Sequence, residues 1–193
     1  MPLWGASDAD ESKPKWLTTA QKKEVFATTA GWVQEAGTAA SGNDNTSAAV
    51  EVLATVTSLT TLLGAATITS VDLVTSAWKV DEGGTLTTLV RWNEAVDVVE
   101  VGSGLKMNVE NDNRANLTLR YASGTGTNEL TFTLVIAAAN SAIQAGDVLS
   151  IPEEDLVKAG ATSVKDAGTS TVSEIAITAA QGTAAGTVTA TAS

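Results

Sequence analysis

From Gly83 to Ile136 the chain alternates. Leu86, Thr88, Val90 and Trp92 share one parity, and Thr87, Leu89 and Arg91 share the other. Leu105, Met107 and Val109 repeat the pattern, as do Leu117, Leu119 and Tyr121, then Leu130, Phe132, Leu134 and Ile136. A period of two sends successive side chains to opposite faces, so each run reads as a half-buried strand. Between the runs stand Gly102-Ser103-Gly104, Asn111-Asp112-Asn113 and the segment Ser123 to Asn128. These are turn residues: Gly reaches positive φ without a steric penalty, and Asn and Asp bond their own backbone. Strands at this spacing predict a small antiparallel β-sandwich.

Composition then closes off several functions. The chain has 193 residues, enough for one domain with an arm or for two small domains. There is no cysteine and no histidine. Disulfide and thiol chemistry therefore fall away, and so do the commonest general base and the commonest transition-metal ligand. Eleven basic residues face 22 acidic ones, for a net charge of −11. A surface that grips phosphates needs clustered Lys and Arg, so nucleic acid is not an expected partner. No run of apolar residues is long enough for a transmembrane helix. The opening MPLWGASDADESKPKW lacks the basic-then-apolar pattern of a secretory signal.

Taken in order, residues 1 to 16 are polar and acidic, with Pro2 and Pro14. Trp4 and Trp16 stand in this setting without a periodic partner. They read either as a frayed end or as an arm that docks on a larger body, since tryptophan is enriched at binding hot spots. Thr18 to Ala30 predicts a short helix, with Thr18 and Gln21 as a capping box and Gly31 as its stop. Gly31 to Glu35 predicts a strand carrying Trp32 and Val33. Ala36 to Ser47 is a loop by composition. Ala48 to Val56 suits a strand, although its alanines suit a helix equally. Ser58 to Leu63, closed by Gly64, is a helical turn or a tight connection. A first module of residues 1–66 results.

The sandwich is expected over residues 67–180. Thr67 to Val74 opens it, and Asp81 to Gly84 is a turn. Asn93-Glu94-Ala95 should break the pairing as a corner. Ala137 to Asp147 is a connection of weak helical character, followed by a short strand at Val148 to Ile151. Pro152 to Ala159 predicts one or two helical turns, with Pro in the first turn, acids early, Lys158 late and Gly160 as stop. Val164 to Gly168 is a turn. Thr171 to Ala179 is the last strand, with Val172, Ile175 and Ile177 inward. Residues 181–193 read as a flexible tail or as an edge strand through Val188.

Chemistry is sparse. Glu110, Asp112 and the asparagines around them offer hard oxygens, but without EF-hand spacing a solvated turn is the simpler reading. Glu94 and Asp97 lack the second base or aromatic subsite a glycosidase would need. Gly124 to Thr127 is no phosphate loop, because no Lys follows and no helix opens there. Trp78 and Trp92 read as core or sheet-surface aromatics. The expectation is a non-enzyme without cofactor or metal.

Two stretches carry a resemblance. Gly83-Gly84-Thr85-Leu86, continuing through Val90-Arg91-Trp92-Asn93-Glu94-Ala95-Val96-Asp97-Val98, resembles a motif of bacterial immunoglobulin-like repeats on surface and adhesin proteins. Arg120 to Phe132 is similar to their Y-x-S-G-x-G-T-x-x-L-x-F stretch. Val164-Lys165-Asp166-Ala167-Gly168 resembles their closing motif, with Thr169 where that motif ends in Asn. The resemblance implies an Ig-like sandwich for display and contact. The second stretch is Met1 to about Ala66. Its MPLWG, Lys13-Pro14-Lys15-Trp16 and Gly31-Trp32-Val33 resemble the N-terminal module of virion structural proteins of tailed phages that infect marine bacteria, cyanobacteria among them.

Together these resemblances imply a particle component: an Ig-like sandwich preceded by a small anchoring module with a short helix. Its expected role is a capsid decoration protein bound to the major capsid protein, forming a homo-oligomeric array on the virion surface after assembly in the host cytoplasm. Trp4, Trp16 and Trp32 are the expected anchors. The alternatives are a tail or neck component, or a module binding carbohydrate on the host surface through the loops Asn111 to Asn116 or Ser123 to Asn128.

Overall fold

The computed structural model describes residues 13–37, 41–45 and 47–192. It is mainly β, a multi-strand mixed sheet with three short helices among the described residues, and this is consistent with a β-sandwich.

The first module begins with α1 (Thr19–Lys23), five residues long. Thr18 starts it with the expected capping box: its hydroxyl accepts from Gln21 N at 3.2 Å, and Gln21 Oε1 accepts from Thr18 N at 2.9 Å. The helix then ends a turn and a half before the predicted stop. Residues 25–28 are β1 (Val25–Thr28), paired antiparallel with β2 (Gly31–Gln34). The β-branched Val25 and Thr28 and the aromatic Phe26 favour this outcome. Gly31 makes the hairpin possible: it sits at φ 129°, and a Cβ there would lie 2.1 Å from the Ala54 carbonyl oxygen. No side chain fits such an approach. β2 pairs onward with β3 (Glu51–Thr55), and α2 (Leu59–Leu63) closes the module. Leu17, Val25, Ala27, Trp32, Leu59 and Leu63 form its small core.

The main core starts at Ala66. β4 (Ile68–Leu73) and β5 (Trp78–Lys79) lead to β6 (Gly84–Val99), 16 residues long and the axis of the molecule. Leu86, Thr88, Val90, Trp92, Glu94 and Val96 are all buried, so the period of two runs the whole strand. Asn93 is buried as well, which means that both faces are covered at that point. The break expected at Asn93 to Ala95 is present in the β6–β9 pairing, whose register shifts between Arg91 and Val96, while the strand itself continues and changes neighbours. Before it, β6 pairs with β4 on one side and with β9 (Thr127–Ile136) on the other. After it, β12 (Ser163–Asp166) takes over beside Val96 to Val99. In between, Glu94 pairs in parallel with Ala27 of β1.

β7 (Leu105–Asn111) and β8 (Leu117–Ser123) complete the alternating region, in the order β6-β9-β8-β7. Three hairpin-linked strands with the fourth returning beside the last is Greek-key connectivity. Leu105, Met107, Leu119, Leu130 and Phe132 fill the interior, with the Tyr121 ring edge-on to Phe132 at 6.2 Å between centroids. The path continues from β7 through β10 (Val148–Ser150).

Four expectations need correction. Residues 152–159 form no helix: Leu156 N bonds Ile175 O at 2.9 Å and Ile177 N bonds Glu154 O at 3.0 Å, so these N–H groups look across the chain. The segment yields β11 (Val157–Lys158) against β7 instead. Thr171 to Ala179 makes only two isolated bridges; Ile177 is buried and Ile175 half-buried, but Val172 is exposed. Over residues 181–192 the alternative of a strand through Val188 holds, but the strand is an inner one instead of an edge. α3 (Ala179–Ala185) is capped by Thr178 and Gln181, and β13 (Thr187–Thr191) lies inside the path between β10 and β5. Val188 and Ala190 alternate inward and give β13 its place. The sheet is also mixed, since β1–β6 and β13–β5 are parallel pairs.

Candidate docking face

Of the three expected anchors, the structure presents one. Trp4 lies outside the described residues. Trp32 is completely buried in the small core, because Leu59 and Leu63 of α2 close over the strand that carries it. It is a core residue, and the expectation that it touches a partner is withdrawn. Trp16 is 60% exposed. Its position is built by its neighbours. Leu17 N bonds Pro14 O at 3.2 Å to make a turn, and Leu17 is buried in the small core. On the other flank Lys13 is buried to 1% exposure, and its Nζ donates to Lys22 O at 2.6 Å. Buried on both sides, the turn holds Lys15 and Trp16 outward as a knuckle. An ammonium bonded to a carbonyl at the end of α1 also suits the helix dipole.

Sequence reasoning missed the joint behind this face. Arg91 of β6 pairs with Asp72 of β4, and its Nη2 lies 2.6 Å from Glu129 Oε2 of β9. Lys23 of α1 reaches across to Asp72 Oδ1 at 3.3 Å, which joins the two modules. Gln34 Nε2 donates to Glu24 Oε2 at 3.4 Å. Burial pushes the Glu35 carboxyl up from 4.5 to about 7, with Glu129 and Glu24 adding repulsion and Arg91 opposing them. The available sequence signal was a lone arginine within the alternation, at Arg91, but nothing local names its partners.

The other candidates are turned inward. Asn111 is buried; its amide donates to Asp147 Oδ2 at 3.0 Å and to Ala142 O at 3.2 Å. Asp112 Oδ1 accepts from Val148 N at 2.8 Å. The oxygens of this loop thus serve the fold's own donors. Asp147 is held by Asn111, by Gln144 N at 2.9 Å and by Arg114 Nε at 2.8 Å. Burial pushes its carboxyl up, and these donors outweigh that and hold it below the usual range. Glu94 and Asp97 are three apart on one strand, so they face opposite ways. Asp97 Oδ2 accepts from Gly168 N at 3.2 Å. The 124–127 turn caps β6: Gly126 N bonds Val96 O, and Val98 N bonds Thr125 Oγ1, both at 2.8 Å.

Trp78 and Trp92 are core residues of the main cluster. No helix among the described residues is long and apolar enough to cross a membrane. No protein-family model, curated protein or solved structure matches the chain.

Proposed function

We propose that the chain is a virion structural protein of a tailed phage, a decoration protein that docks on the capsid lattice through its N-terminal module and displays an Ig-like domain. The observation that carries this reading is Trp16: a large aromatic side chain, more than half exposed, on a turn fixed by the buried Lys13 and Leu17. A rigid, preorganised aromatic side chain that stays more than half exposed makes an efficient anchor. The resemblance of the opening residues to phage virion modules points the same way. Many copies on a symmetric lattice would convert a modest contact per copy into firm attachment. Neither catalysis nor a cofactor enters this role. A tail or neck location uses the same chemistry at a different copy number. The glycan alternative is less favoured, because the 124–127 turn spends the Gly126 N–H as donor and Thr125 Oγ1 as acceptor on the sheet.

The test is particle occupancy. Trp16→Ala is expected to keep the melting transition of the parent and to lower the number of copies per purified particle severalfold. Unchanged occupancy would defeat the knuckle as an anchor.

A further inference from the structure

Charge is divided unevenly in this molecule. The chain as a whole is at −11, yet residues 13–23 hold four of its 11 basic residues, Lys13, Lys15, Lys22 and Lys23, and no acidic one. Three of the four line a cleft of about 150 Å³, with Thr19 and Thr69 as its other walls. A second cleft of about 210 Å³ shares Lys23 and Thr69 with the first and runs on between β4 and α3. Its far wall is aliphatic: Val71, Ala180 and Ala184. Gln181 ties the two walls, since its Nε2 donates to Ile68 O at 2.6 Å. Ser70 is in the wall of this second cleft, 7% exposed, and its buried hydroxyl has no hydrogen-bond partner among the described residues. A buried hydroxyl without a partner costs free energy, and a ligand oxygen in the cleft would remove that cost.

The groove therefore has a cationic end, a hydroxyl donor in its wall and an aliphatic end. We infer that it receives a short acidic and aliphatic segment of a partner protein, with a carboxylate among the lysines and an apolar side chain against Val71 and Ala184. This rests on the reading of the N-terminal module as the docking side, and it supplies the partner's chemistry. Of the lysines that line the first cleft, Lys22 makes no ion pair among the described residues, so its ammonium group is available. Lys23 is shared with Asp72. A polyphosphate chain is the weaker fit. It would need positive charge along its length, whereas the basic patch is confined to one end of an acidic protein. A carboxylate needs only a local field, which survives within a Debye length of about 8 Å at physiological salt.

The probe is a labelled peptide of alternating glutamate and leucine, titrated with the full chain and followed by fluorescence anisotropy. Binding is expected, weakening as salt rises. Lys22→Glu should weaken it by about tenfold or more, because Lys22 lines the cleft and makes no ion pair among the described residues. Ser70→Ala should weaken it about threefold, the loss of one hydrogen bond. Equal binding by the Lys22→Glu variant, or equal binding of a lysine–leucine peptide, would overturn the inference. So would tighter binding of duplex DNA that the same substitution abolishes, or a self-association of the chain that it abolishes, since each names a different occupant. Loss of peptide binding with normal particle occupancy would uphold the groove and defeat the capsid role instead.

Discussion

The two cores differ in size and in what they can sustain. Around β6, two dozen buried apolar residues from β4 to β10, β12, β13 and the loops between them pack into one cluster, whereas the first module gathers six. A small cluster over a three-stranded hairpin sheet is marginal without support from outside. The first module finds that support on the larger one, through the Ala27–Glu94 backbone pairing and the Lys23–Asp72 ion pair. The lesson is an asymmetry of dependence. The larger core is expected to hold its shape without the module, the module is expected to need the larger core, and the exposed knuckle belongs to the module of the smaller core.

The sharpest way to break this comparison is to empty each core in turn. Phe132→Ala and Trp32→Ala each remove a buried aromatic ring at a cost of about 3–5 kcal/mol. The expected outcomes are unlike. Phe132→Ala should lower the single cooperative melt of the whole chain. Trp32→Ala should release residues 17–63 while hydrogen exchange at β6, β8 and β9 stays slow. Equal loss of protection in both regions would mean one cooperative unit, not a dependent pair.

A smaller effect is expected from pH. Glu35 titrates at about 7 in the fold against an ordinary 4.5. Between those values the native state holds a proton that the unfolded chain has given up. A state that binds more protons is favoured at low pH, so stability falls as pH rises through this window. Glu35→Gln has nothing to titrate and should flatten that limb of the curve of Tm against pH. The change should also show first in the amides of β1 and β2. A pH limb that survives the substitution would assign the titration elsewhere.

Smallest is Lys23→Ala. The pair with Asp72 is partly exposed and Asp72 keeps Arg91, so the loss should stay below about 1 kcal/mol. A larger loss in the module than in the sandwich would show that this ion pair is a main tie between them.

The same contrast explains what could be read from residues alone. The strands from β6 to β9 have one face toward the core, and half-burial prints a period of two in the sequence. In β1, Val25, Phe26 and Ala27 are all buried, so no alternation exists to read. A true capping box at Thr18 then suggested a longer helix than the packing allows. The 152–159 segment carried helix signals in its acids and its proline, and tertiary hydrogen bonds overrode them. β13 was legible only as an alternative, an edge strand through Val188, because its small inward and outward members differ little in polarity and nothing local names β5 as a second neighbour. Among the tryptophans, Trp16 and Trp32 look alike in sequence. One is a knuckle and the other is core because Leu59 and Leu63, far along the chain, close over only one of them.

The interior position of β13 bears on biosynthesis. Until Thr187–Thr191 leaves the ribosome, β5 and β10 have no strand between them and each shows a raw edge. The nascent polypeptide must therefore carry this gap in the sheet from the synthesis of β10 until β13 emerges, and crowding of polysomes on one message would be most hazardous in that interval.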